Sequence, residues 1–349
     1  MKHILYITTL IFLTSACGST ASLISIDVLE PAAISSPTDV RNVLIVDNSP
    51  SQKNESVTVN GEKNDDTNFI TTDSVKAVML KALDQFMSEE KYFDKTSIYP
   101  RNVNASFVNE IKSLTARKAQ SISMEKDADM LIVLDLFTVS ATSEYVNTEY
   151  FEGFNLLTAK IGAVIRTYDH EGKPFSEPFL LLDSLYRQNS TTWVDRSNSI
   201  EQMNDLVYEI AVHSADRLSR VFVPSWKTYN RIIYTGNSSQ MKSATTLATK
   251  NQWKKAADIW AGLYETEKNR NKRIRLASNI ALANEYLDDI ENALWWIEEA
   301  YKALPSGKSK SELSLQVFAY RSDLMRRRNN MPKLYNQLGI ESVEDTDTE

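Results

Sequence analysis

Cys17 carries the only thiol of this 349-residue chain, and His3, His170 and His213 carry its only imidazoles. A zinc site usually takes three or four nitrogen or sulfur ligands, so His170 and His213 downstream of the thiol make a thin donor set. Ser88-Glu89-Glu90-Lys91 has the serine-acylase spacing S-x-x-K, yet no S-D-N or K-T-G companion occurs anywhere. Gly307-Lys308-Ser309 reads like the end of a phosphate loop. The glycine such a loop needs five places before Gly307 is Lys302, and the segment follows a helical pattern rather than a strand. The acid pairs Asp127/Asp129, Asp288/Asp289 and Glu298/Glu299 are the types that glycoside hydrolysis uses. Asp288/Asp289 fall in a turn between helices and Glu298/Glu299 on a helix surface, where solvated charge is the ordinary reading. There is no G-x-S-x-G. We expect no enzyme, no metal and no cofactor.

The elements that position these groups read as two regions. Leu23 to Leu29 alternates Ile24, Ile26 and Val28 as a strand does, and Val43-Leu44-Ile45-Val46 has the continuous apolar run of a buried strand. Asn48 to Asp66 is polar and reads as a solvated loop. Asp73 is expected to cap a helix with Val75, Val78, Met79, Leu83 and Phe86 on one stripe, and a second helix is expected over Val108 to Lys118. Met130 to Phe137 is apolar except for Asp135, the pattern of a central strand covered on both faces. Strands over Leu156 to Tyr168 and Phe179 to Tyr186 flank the turn residues Asp169 to Pro174. A helix from Ser199 to about Arg220 closes the region. This order implies an α+β protein: an N-terminal mixed-sheet α/β domain, 23–224, followed by an all-α region, 225–338.

That second region carries a repeat. Ser278 to Pro305 aligns without a gap to most of the tetratricopeptide pattern, with Ala281, Ala293 and Ala300 at the small positions and Pro305 closing the unit. Small residues belong there because antiparallel helices approach closely. Ala256 and Trp260 occupy repeat-core places of an upstream copy that departs from the pattern, with Leu263 at a usual alanine position. Leu313 to Met325 would cap the stack, and 339–349 is an acidic tail read as disordered.

The start of the chain has the composition of an address. Lys2 and His3 precede the apolar run Ile4 to Leu13, and Thr14, Ser15 and Ala16 are small, so 1–16 reads as a removable signal peptide. Ten residues are too few to span ~30 Å of hydrocarbon. Cys17 directly behind them resembles the lipobox of bacterial lipoproteins, with Thr14 where that family prefers leucine. The resemblance implies a lipid on Cys17, a tether over 17–22 and attachment to the outer membrane. The alternative is an ordinary signal peptide cut after Ala16. With Ile26-Asp27-Val28-Leu29-Glu30-Pro31-Ala32, Val223-Pro224-Ser225-Trp226 and the trailing repeats, the whole resembles an uncharacterised group of Bacteroidota lipoproteins with a domain of unknown function. Element order after Ala128 is also similar to the α/β domain of curli-secretion and penicillin-binding-protein-activator lipoproteins. No acidic cluster of a surface-export kind follows Cys17, which favours the periplasmic face.

Charge divides unevenly. Cys17 to Pro224 holds 19 Lys/Arg and 30 Asp/Glu, whereas Ser225 to Gly339 holds 19 and 11. The two halves attract each other, or the basic half faces an anionic partner. An acidic, secreted chain gives nucleic acid little weight as a partner. The leading expectation is a non-catalytic outer-membrane lipoprotein whose repeats bind or scaffold an envelope protein through Lys254, Lys255, Arg273, Arg275 and Trp296. The alternative is a glycan- or peptidoglycan-binding lipoprotein that uses exposed aromatics.

Overall fold

A computed structural model of the chain describes residues 21–50, 57–59, 62–64, 71–104, 111–148, 151–189, 196–305 and 311–340. The chain forms two compact units, Ala32–Ser225 and Met1–Pro31 with Trp226–Glu349, and the architecture is α+β as expected. The expected signal 1–16, Cys17, Gly307 to Ser309 and the tail from residue 341 lie outside the described residues. No described helix is long and apolar enough to cross a membrane.

The strand β1 (Ala21–Glu30) is present, but it does not belong to the α/β unit where the sequence reading puts it. It pairs with β9 (Ser225–Tyr234) in the other unit. Alternation reports that a strand exists and is silent about a partner some 200 residues away.

The α/β unit is built on β2 (Asn42–Asp47), β3 (Val57–Val59), β4 (Glu62–Asn64), β5 (Lys95–Ile98), β6 (Met130–Thr148), β7 (Phe151–Asp169) and β8 (Phe179–Asn189). β6 pairs in parallel with β2 along its first half and with β3 along its second. β7 pairs antiparallel with β6, β8 antiparallel with β7, and β5 lies parallel beside β2. The apolar run of β2 is explained by cover on both faces. Val43 and Ile45 share one core with Met130 and Ile132, while Leu44 and Val46 share the other with Leu131 and Val133.

Helix α1 (Thr72–Glu89) buries Val75, Met79, Leu83 and Met87 against the first core; its cap is Thr71, which accepts from the Ser74 N–H, and not the expected Asp73, which falls inside the first turn. α3 (Arg196–Phe222) lies on the same side through Met203, Val207, Ile210 and Leu218. α2 (Ala116–Lys126) covers the opposite face with Ala119 and Ile122. The helix expected over Val108 to Lys118 is therefore displaced. Thr115 accepts from the Lys118 N–H and starts the helix at Ala116, leaving 111–115 irregular with Ile111 exposed. The expected loop of Asn48 to Asp66 holds β3 and β4, three residues each, which pair with one another while β3 also pairs with β6.

The second unit adds to β1 and β9 the helices α4 (Ser239–Thr249), α5 (Trp253–Thr266), α6 (Arg270–Tyr286), α7 (Ile290–Lys302) and α8 (Glu312–Leu338). Three-residue connections 250–252, 267–269 and 287–289 make neighbours antiparallel. Ala256, Trp260, Ala281, Ala293 and Ala300 are fully buried between them, and Pro305 is exposed just after α7. α8 runs past the expected Met325. Pro332 within it deprives only the carbonyl of Arg328, on an exposed residue, and Gly339 in the left-handed region (φ 65°) ends the helix.

Candidate functional site

At the carboxyl end of β2 the strand order β5-β2-β6, with α1 and α2 on opposite faces, creates a topological switch point, the usual ligand position of an open α/β sheet. Asp47, Asn48 and Ser49 leave the strand there. Lys76 on α1 reaches Asp47 Oδ2 at 2.9 Å, Asp73 Oδ1 at 3.0 Å and Ser49 Oγ at 3.0 Å, with only 7 % of its side chain exposed. On β6 a bulge between Leu134 and Leu136 turns Asp135 out of register. Its fully buried carboxylate accepts from Asn48 Nδ2 at 2.8 Å and from Arg166 Nε at 2.7 Å. Burial pushes the Asp135 carboxyl up, against the lowering pull of Asn48 and Arg166. These donors and acceptors satisfy one another. The cluster locks the strand end, and its ammonium is held by two carboxylates rather than poised as a nucleophile.

The opposite end of the sheet opens into a cleft of about 430 Å³. Asp127, Asp129, Asp39, Asp169 and His170 line it, so the structure brings one of the acid pairs noted in the sequence together with the histidine of the turn. Asp129 Oδ2 accepts from the Arg41 and Asn42 N–H groups and Asp169 Oδ1 from those of Glu171 and Lys173, which are strand-end and turn roles. No group of three or more His, Cys, Asp or Glu among the described residues is placed to hold a metal ion. His213 stands elsewhere, on α3, with Nδ1 2.9 Å from Asp183 Oδ2. Burial alone would raise Asp183; hydrogen bonds from His213, Arg217 and Ser214 outweigh it and hold the carboxyl below the usual range. Ser88 of the S-x-x-K segment shares a hydroxyl–hydroxyl hydrogen bond with Thr96 at 2.5 Å.

In the helical unit, Arg231 of β9 is buried against Glu285 of α6 and Asp323 of α8. Asn279 Oδ1 accepts from the Tyr234 N–H at 2.8 Å and its Nδ2 donates to the Tyr234 carbonyl at 2.7 Å, fixing β9 to α6. The expected partner contacts take different places. Lys254 and Lys255 are exposed on α5. Arg273 is half-buried, donating to the Tyr264 and Glu267 carbonyls with its guanidinium 4.1 Å from the Tyr264 ring, so it closes the end of α5. Arg275 is half-buried, 5.7 Å from the Tyr234 ring. Trp296 is half-buried between Tyr264 and Trp295, and the exposed indole of the pair is Trp295, at 55 %. Consecutive residues on a helix point about 100° apart, so the pair had to split, but the sequence left open which ring faced in.

One groove in this unit was not expected. Of about 200 Å³, it runs between β1 and α8, lined by Asp27, Glu30, Trp226, Asp288, Arg327 and Met331 among others. Trp226 is 60 % exposed. The unread signal was β9 itself, whose Trp226, Thr228, Tyr229, Ile232 and Ile233 are strand-forming types.

The family model of a domain of unknown function, DUF8603, matches residues 40–234, and that of a second, DUF6340, matches residues 242–326. No curated protein matches the chain. Among solved structures it is similar to a minor lipoprotein from Acinetobacter baumannii, at 9% identity and TM-score 0.26, covering 53% of this chain and 98% of that one. It is similar to a neuraminyllactose-binding hemagglutinin homologue from Helicobacter pylori, at 12% identity and TM-score 0.29, covering 54% and 88%. A lipoprotein from Neisseria meningitidis gives 15% identity and TM-score 0.20, over 49% and 98%.

Proposed function

The chain belongs to the family of the domain of unknown function DUF8603, and we propose that this member is a non-catalytic, lipid-anchored envelope protein whose helical unit docks a protein partner. Cys17 is the acylated residue, the signal before it is removed, and the mature protein sits on the periplasmic face of the outer membrane. The helices act as a tetratricopeptide-like scaffold, as in the Bacteroidota lipoproteins that the sequence resembles.

The observation that carries this reading is the division of the tryptophans. Trp253 and Trp260 are buried in the helical core at 3 % and 0 %, while Trp226 and Trp295 hold more than half their surface in water. Each exposed indole forgoes on the order of 2 kcal/mol of burial, which a partner would recover. Tryptophan is also over-represented among residues that dominate interfaces.

The test is capture from detergent-solubilised envelope with the full lipidated chain. A protein recovered in stoichiometric amount, and reduced by Trp295→Ala, supports the reading. Recovery of no protein overturns it. Retention on insoluble cell wall through high salt, without a protein partner, replaces it with glycan binding.

A further inference from the structure

The groove between β1 and α8 combines an exposed indole with incompletely engaged carboxylates. Asp27 Oδ1 accepts from Thr228 Oγ1 at 2.6 Å and Asp288 Oδ1 from Arg327 Nη2 at 2.8 Å, each bond being to one oxygen of its carboxylate. Glu30 is occupied on both, by Tyr229 at 2.7 Å and Asn330 at 3.0 Å. Arg327 is the one basic residue of the lining, and it is shared with the buried carboxylate of Glu285 at 3.5 Å. The groove is thus an acidic spot on a half of the chain with 19 basic and 11 acidic residues from Ser225 to Gly339.

The spread of these carboxylates selects the kind of cation. A calcium or magnesium ion needs oxygens converging on one point, and no such group of acidic residues exists among the described residues. Trp226, Met331 and Leu334 supply apolar and aromatic wall alongside the acids. That combination fits a charge carried on an apolar stem, with the methylenes along the indole and the charged head at the rim. We propose that the groove is a pocket for a basic side chain, lysine or arginine, presented by a protein partner. A lipid ammonium is a worse fit, because its neighbouring phosphate would face the same carboxylates. The proposal rests on the protein-docking reading above and names the chemistry of that partner.

The probe is a short, uncharged-ended peptide carrying two lysines, titrated by fluorescence against the full mature chain with Cys17→Ser, beside its glutamine counterpart. The lysine peptide is expected to bind at least tenfold more tightly than the glutamine one. Trp226→Ala should weaken it about fivefold, as loss of a cation–π contact does, and so should the pair Asp27→Asn with Asp288→Asn. The exposed Asp258→Asn on α5 should leave it unchanged, and melting curves verify that each variant folds. Equal binding of the two peptides, or indifference to Trp226→Ala in a folded variant, overturns the pocket. Binding to phosphatidylethanolamine vesicles without binding the peptide overturns it as well. A captured envelope partner that ignores the groove variants sinks this proposal alone; capture of no partner sinks the docking reading instead.

Discussion

Arg231 on β9 grips Glu285 on α6 through two parallel hydrogen bonds, Nε to Oε2 at 2.9 Å and Nη2 to Oε1 at 3.0 Å, and the carboxylate is fully buried. Tyr320 donates to the same carboxylate at 2.8 Å, and Asp323 takes the remaining arm of the guanidinium at 2.9 Å. Burial lowers the guanidinium's affinity for its proton, but these partners raise it further, so Arg231 stays charged at any working pH. Arg231→Ala leaves the buried Glu285 carboxylate with only Tyr320 and the more distant Arg327, and should cost about 3–5 kcal/mol, whereas replacing Arg231 and Glu285 together by apolar residues of similar size should cost less. Urea unfolding of the single and double variants decides this. A double variant as damaged as Arg231→Ala would show that the pair itself, not the stranded charge, carries the stability.

Two carboxylates of the α/β unit should give stability opposite pH slopes. Asp183 titrates below the usual range in the fold, so its contribution is present above the unfolded value of about 3.9 and is lost as pH falls through the folded value. Asp135 is raised by burial, so its contribution is fully present below about 3.9 and is lost as pH rises through the folded value. Asp183→Asn should flatten the acid limb of the stability profile, and Asp135→Asn should flatten the decline above it. Urea midpoints from pH 2 to 8, a range of roughly six units about the carboxylate values, measure both.

Trp260 is fully buried, and its indole N–H has no hydrogen-bond partner among the described residues. An unsatisfied buried donor costs about 1–3 kcal/mol. Trp260→Phe removes that donor while keeping most of the ring, so it should cost well under the ~3–5 kcal/mol expected of Trp260→Ala. Equal losses in thermal melts would mean that volume alone matters there.

Gly162 on β7 faces Thr138 on β6. A Cβ built at 162 would stand 2.7 Å from Thr138 Oγ1. Gly162→Ala should therefore destabilise by about 1–3 kcal/mol, and Thr138→Ala should rescue most of it. Failure of the rescue would assign the glycine a backbone role instead.

Cys17→Ser should move the protein from the membrane fraction to the soluble periplasm, since a lost acyl anchor removes about 0.8 kcal/mol per buried CH₂. A membrane-bound Cys17→Ser protein on fractionation would end the lipid-anchor reading.

Much of the α/β unit was legible because burial imposes simple periods. Val43 to Val46, Met130 to Phe137 and the stripe Val75-Met79-Leu83 each show the spacing of the faces they cover. What escaped had no such imprint. β3 and β4 are three residues each, too short to show a period, and α2 begins at Ala116 because of one threonine hydroxyl. The alanines Ala281, Ala293 and Ala300 are buried, as small residues between close helices are, whereas Arg273 reads as a surface charge and donates to the carbonyls at the end of α5. Lys76, within an apolar stripe, was a readable anomaly, as Asp135 was. Neither sequence position reveals that Asp47 and Arg166 supply the counter-charges, because those contacts join separate strands and a helix. The groove beside α8 depends on β1 meeting β9, and no local pattern encodes that meeting.

The pairing of β1 with β9 makes the α/β unit an insertion in an otherwise single helical module. β1 emerges from the ribosome early and must wait for about two hundred residues of synthesis before its mate exists, so the helical module closes last. Once it is closed, a pull on the N-terminus is borne first by the β1–β9 hydrogen bonds and side-chain ties such as Thr228 to Asp27 and Tyr229 to Glu30. Those ties lie within the helical module itself, so β1 stays held by β9 and the helices whether or not the inserted sheet is folded.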